Sequence, residues 1–84
     1  MGKAPPEIYY DEATVLAMRG NVQAALKKLQ QAYDHGFRER WLLALDWRLD
    51  SIRNQAPFID LNARMGRDID RAMAEIRSTQ LAAN

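Results

Sequence analysis

The chain has 84 residues, 48% of them hydrophobic, with twelve Lys and Arg against eleven Asp and Glu for a net charge of +1. That length holds one small domain with a modest core, and the near-neutral, locally mixed charge argues against a polybasic nucleic-acid footprint or an acidic solvating tail. Cysteine is absent, which excludes a disulfide framework and a thiolate metal site.

After Pro5-Pro6, apolar residues recur at Ile8, Tyr9, Ala13, Leu16 and Ala17. This three-and-four spacing predicts one buried stripe on a helix from about Pro6 to Arg19. Pro6 fits the first turn, where its missing N–H costs nothing. Glu7, Asp11 and Glu12 suit the positive end of the helix dipole, and Arg19-Gly20 suits its close. Asn21 stands where it caps a second helix, with Val22, Ala25, Leu26, Leu29, Ala32 and Tyr33 on one side and His35-Gly36 at its end. So short a connection makes the two helices antiparallel neighbours.

Residues 37–56 are dense in large apolar side chains: Phe37, Trp41, Leu42, Leu43, Leu45, Trp47, Leu49 and Ile52. A short helix is expected over about Glu39 to Leu45, and a turn or helix over about Trp47 to Asn54 with Asp46 as its cap. Pro57 is expected to open the last helix, since proline pushes the preceding residue out of the helical region and is itself comfortable at a first position. That helix carries Phe58, Leu61, Met65, Ile69, Ala72, Met73 and Ile76 on one side and reaches about Thr79, with Gln80 to Asn84 frayed. Gly66 costs roughly 1 kcal/mol against alanine inside a helix, so a bend or division is expected there. No stretch alternates with period two over a strand's length. The expectation is therefore a single all-α domain over residues 1–84: an antiparallel helix pair at about 6–36, a degenerate helical segment at 37–56, and a long C-terminal capping helix at 57–79.

With Gly20-Asn21 at the turn, the helix pair resembles a tetratricopeptide repeat. The repeat's W-x2-L-G-x2-Y, A-x3-F and closing P become Tyr9-x2-Glu12-Ala13-x2-Leu16 and Ala25-x3-Leu29, with no closing proline. Ala13, Ala25 and Ala32 fall where helix backbones approach closely, and Leu29 falls where a groove is filled. Glu12, Leu16 and Phe37 depart from the pattern, as in a terminal or degenerate repeat. Residues 24–65 are similar to the closing segment of bacterial tetratricopeptide-repeat proteins, whose final unit reads roughly D-P-x-L-D-x-L-R-x-D-P-x-F-x-x-L. Here that unit runs from Asp46 to Leu61, keeping Pro57 and replacing the first proline by Trp47. The resemblance covers about three quarters of the chain.

What the resemblance implies is a non-catalytic protein–protein interaction module, forming the C-terminal part of a larger bacterial protein such as a winged-helix regulator or a nucleotide cyclase, or standing as an unattached repeat protein. The first-helix residues that line the concave surface of such repeats correspond to Tyr10, Thr14, Ala17 and Met18, the candidate contacts for a protein or peptide partner. One repeat with its closing unit leaves the outer side of the first helix uncovered, open to earlier repeats, a partner helix or a second copy. A purely structural solenoid cap is the first alternative. A weaker one is single-stranded nucleic-acid binding through Trp41 and Trp47 among Arg38, Arg40, Arg48 and Arg53. Against it, Glu39, Asp46 and Asp50 cancel the local charge, and the tryptophans sit where a small core needs large side chains.

Catalytic, cofactor-binding and metal-ligating residues are not expected. His35, the one histidine, lies at the end of the second helix, and Asp46, Asp50 and Asp60 lack calcium-loop spacing. A phosphate loop, a nucleophile elbow and a Ser/His/Asp framework are missing as well. No apolar run approaches the roughly 18–20 residues that span a bilayer, so no membrane partner is expected and a cytoplasmic location is.

Overall fold

The computed structural model describes residues 4–83. They form four α-helices, α1 (Pro6–Met18), α2 (Val22–Asp34), α3 (Arg40–Leu45) and α4 (Ala56–Ala83), with one 3₁₀ turn at Trp47–Leu49 between α3 and α4. Among the described residues no strand occurs, and the all-α expectation holds.

Helices α1 and α2 form an antiparallel hairpin. Lys28 reaches Glu12 at 3.1 Å, and the His35 ring stacks on Tyr9 at 4.6 Å near the opposite ends of the two helices. Small residues let the backbones close: Ala13 and Ala17 of α1 and Ala25 and Ala32 of α2 are at most 2% exposed. Both helices end by the same device. Gly20 and Gly36 adopt φ of 77° and 103°, and the N–H groups of Gly20 and Asn21 return to the carbonyls of Ala17 and Leu16. Those of Gly36 and Phe37 return likewise to Tyr33 and Ala32. Both are Schellman closures, which need a residue free to take positive φ. Asn21 precedes α2, but its side chain makes no capping hydrogen bond.

The second closure aims Phe37 into the body, where its ring stacks on Tyr10 at 4.7 Å with an 8° interplanar angle. Residues 37–52 then fold back over α1, burying Phe37, Leu43, Leu49 and Ile52. The Asp46 carboxylate caps the 3₁₀ turn by accepting from the Arg48 N–H at 3.1 Å. Arg53 closes the C-terminal end of α3, donating to the carbonyls of Leu43 at 3.0 Å and Asp46 at 2.8 Å. A cation is thereby placed at the negative end of α3.

Helix α4 packs across α2 and α3 through Phe58, Leu61 and Met65. It starts at Ala56, with Pro57 in its first turn, and runs unbroken through Gly66 to Ala83. The expected division at Gly66 and the expected end near Thr79 are both corrected. The guanidinium of Arg40 lies against the position a Cβ on Gly66 would take, with Cζ at 2.9 Å from that point, while Arg40 Nε donates to Asn62 at 3.1 Å. Gly66 thus seats an arginine from α3 and leaves the helix intact. Residues 80–83 continue the helix because Gln, Leu and Ala are good helix formers. The expectations for Met1 to Lys3 and Asn84 lie outside the described residues.

Three apolar expectations change. Ile8 is 46% exposed, and the buried stripe of α1 is turned to carry Tyr10, Ala13, Thr14 and Ala17. Trp41, Leu45 and Trp47 are between 62% and 76% exposed, because a six-residue helix and a three-residue turn each bury only one face. Ala72, Met73 and Ile76 prolong the α4 stripe into solvent.

Candidate functional site

Helix α1 has two faces of opposite character. Its inner face carries three of the four candidate contact residues, and each is engaged with its own chain. Tyr10 is 3% exposed and donates its hydroxyl proton to Asp46 Oδ2 at 2.5 Å. Asp46 also accepts from Arg48 Nε at 2.9 Å and Nη2 at 2.7 Å, a bidentate fork. The Arg48 bonds, joined by the Tyr10 hydroxyl and opposed by burial, pull the Asp46 carboxyl down to about 2. Burial first, then the hydrogen bond to Asp46, pushes the Tyr10 phenol well above its ordinary value. The pair therefore stands as carboxylate and neutral phenol.

Thr14 is 1% exposed and donates back to the Asp11 carbonyl at 2.7 Å, so its hydroxyl is satisfied within α1. Ala17 is buried, and its carbonyl accepts from Ser51 Oγ at 2.8 Å. Met18 alone of the candidates is open, 49% exposed beside Trp47, Arg48, Asp50 and Ser51. The open inner face expected from the resemblance is thus occupied by residues 37–52 of the same chain. The physical reason is the density of apolar residues after Gly36, which must be buried somewhere and find α1 nearest.

The outer face of α1, directly opposite, is uncovered. Ile8 and Val15 are 46% and 41% exposed. Asp11, Glu12, Val15, Leu16 and Lys28 line a shallow, mainly apolar depression between α1 and α2. Glu12 is paired with Lys28, while Glu7 and Asp11 add negative charge on the exposed surface of α1.

A second polar cluster joins α2 to α4. The Tyr33 hydroxyl donates to Asp68 Oδ2 at 2.5 Å, Arg38 pairs with Asp68 at 3.2 Å, and the Arg38 guanidinium lies 4.2 Å from the Tyr33 ring centroid. Arg64 flanks the same ring at 5.3 Å and donates to Gln30 at 2.9 Å. The Tyr33 hydrogen bond lowers the Asp68 carboxyl and raises the Tyr33 phenol. This cluster fixes where α4 crosses α2.

The tryptophans do not form one platform. Trp41 borders a depression with Arg40, Ala44 and Asn62, whereas Trp47 borders the one beside Met18. Each arginine of this segment already has a partner: Arg38 with Asp68, Arg40 with Asn62, Arg48 with Asp46, Arg53 with Asp50. His35 ends α2 as expected, its ring on Tyr9. Among the described residues no group of three or more His, Cys, Asp or Glu is placed to hold a metal ion, and no helix is long and apolar enough to cross a membrane. Comparison of the chain with known protein families, with curated proteins and with solved structures finds no significant match.

Proposed function

We propose that the chain is a non-catalytic, tetratricopeptide-like interaction module, and that its contact strip is the outer face of α1 rather than the inner one. The observation that carries this reading is the uncovered apolar depression of Val15 and Leu16, opposite a face on which Tyr10, Ala13, Thr14 and Ala17 are buried. Two further features support it: the buried alanines that let α1 and α2 approach closely, and the Schellman turn at Gly20 that sets the hairpin. A helix pair of this kind buries one side on its neighbour in sequence and needs a second neighbour for the other.

The occupant in this reading is an amphipathic helix of another protein, with an apolar stripe for Ile8, Val15 and Leu16 and Lys or Arg beside it for Glu7 and Asp11. A photo-crosslinking residue at Val15, introduced in cells of the source organism, tests it. The expected product is a crosslink to a helical segment of one partner protein, lost when Ile8→Arg is added. Crosslinks no more frequent than from the exposed polar position Arg67 would refute the reading. Crosslinks to a helix upstream in the same polypeptide would refute it in favour of a solenoid cap.

A further inference from the structure

The apolar stripe of α4 outlasts the body it packs on. Phe58, Leu61 and Met65 are buried and Ile69 is half-buried, but every residue from 70 to 81 is exposed, with Met73 at 56% and Ile76 at 55%. At 1.5 Å per residue α4 is roughly 42 Å long, so it sets the long dimension of the molecule and projects beyond α2.

We propose that residues 69–80 of this projecting half pair antiparallel with the same segment of a second copy of the chain. Ile69, Met73, Ile76 and Gln80 are spaced four, three and four apart, which makes them d, a, d and a of a heptad seam. A two-fold antiparallel arrangement layers Met73 on the partner's Ile76 and Ile69 on the partner's Gln80, each contact occurring twice.

The charges beside the seam choose both the occupant and its direction. Asp70 and Arg77 occupy the e positions, and in an antiparallel pair e faces e. Asp70 then lies beside the partner's Arg77, and Arg77 beside the partner's Asp70. Among the described residues neither takes part in an ion pair within the chain. On the other flank the g positions are Ala72 and Thr79, small enough for close approach. In a parallel pairing each e residue faces the g residue five positions earlier on the partner, which sets Arg77 against Ala72 and Asp70 against Met65, so neither charge finds a complement. The depression of Arg38, Asp68, Ile69, Ala72 and Met73, where α4 leaves the body, receives the end of the partner helix. This self-association uses α4 and stands or falls separately from the contact proposed for α1.

Sedimentation equilibrium of the full chain at low salt tests the pairing. Four layers make a small interface of the transient kind, for which a dissociation constant on the order of 100 µM is expected. Ile76→Asp weakens the dimer at least about tenfold by placing a charge in the seam. Asp70→Arg alone and Arg77→Asp alone each turn two attractions into repulsions and weaken it about tenfold. The double variant restores the pairing to within about threefold of the wild type, because each pair is then reversed in sign and still complementary. Helical circular dichroism confirms that α4 persists in each variant. A chain that stays monomeric up to about 1 mM, a concentration well above that constant, overturns the proposal. So does a dimer whose strength ignores the two charge reversals.

Discussion

Asp46→Asn removes a charge that the fold has built a site for, and the structure sets the size and pH dependence of its effect. The carboxylate accepts from Tyr10 and from three donors of Arg48, and its side chain is 6% exposed. Its carboxyl falls from an ordinary 3.8 to about 2. At 1.36 kcal/mol per tenfold, that depression corresponds to about 2 kcal/mol of folding stability. A carboxyl whose folded value lies below its unfolded value contributes fully above the unfolded value and loses the contribution as pH falls through the folded one. The stabilisation is therefore complete at pH 6, about half spent at pH 3, and gone well below pH 2. The substituted amide keeps one acceptor but no charge, so the variant is expected to be about 2 kcal/mol less stable at pH 6. Urea unfolding followed by circular dichroism at pH 6 and pH 3 measures the wild-type-to-variant gap directly. The gap should narrow by about 1 kcal/mol between those values. A gap that is the same at both would refute the assignment of the carboxylate as the stabilising species.

Three further perturbations test the architecture, all read by urea midpoints. Gly36→Ala meets no neighbouring atom within 4 Å, yet its φ of 103° is strained for any side chain, so it should cost about 1–2 kcal/mol; no loss would contradict the second Schellman closure. Gly66→Ala displaces only the mobile end of Arg40 while adding helix propensity, so stability should rise by about 0.5 kcal/mol, and a loss above 1 would mean that the arginine seat matters more than its surface hydrogen bond. Phe37→Ala should cost about 3 kcal/mol or more, whereas Trp47→Ala should stay within about 0.5, since one ring is 2% exposed and the other 69%; equal losses would put Trp47 in the core.

The parts of this fold that local chemistry determines were legible in the sequence. Glycine after Arg19 and after His35 marked two helix ends, Asp46 marked the start of the 3₁₀ turn, and the alanines at 13, 25 and 32 marked a close hairpin. The face of α1 was misread because Tyr10 and Thr14 count as polar. Thr14 hides its hydroxyl on the Asp11 carbonyl, and Tyr10 finds its acceptor 36 residues away, a pairing that no periodicity contains. That same long-range return buried most of the candidate contact face. A readable signal was the spacing of 10, 13, 14 and 17, itself a helical stripe once threonine and tyrosine are admitted to it. The tryptophans were misplaced for the converse reason: size suggested burial, but elements of six and three residues offer too few inward positions. Gly66 read as a break because its neighbour in space, Arg40, lies in another helix.

Which side of α1 meets a partner is measured directly by a nitrogen-15 correlation spectrum of the chain titrated with the helix crosslinked at Val15. The amide signals of Ile8, Asp11, Val15 and Leu16 are predicted to move together, while those of Phe37, Leu49 and Ser51 over the inner face stay in place. Movement concentrated at Phe37, Leu49 and Ser51, with the outer strip unchanged, would contradict it.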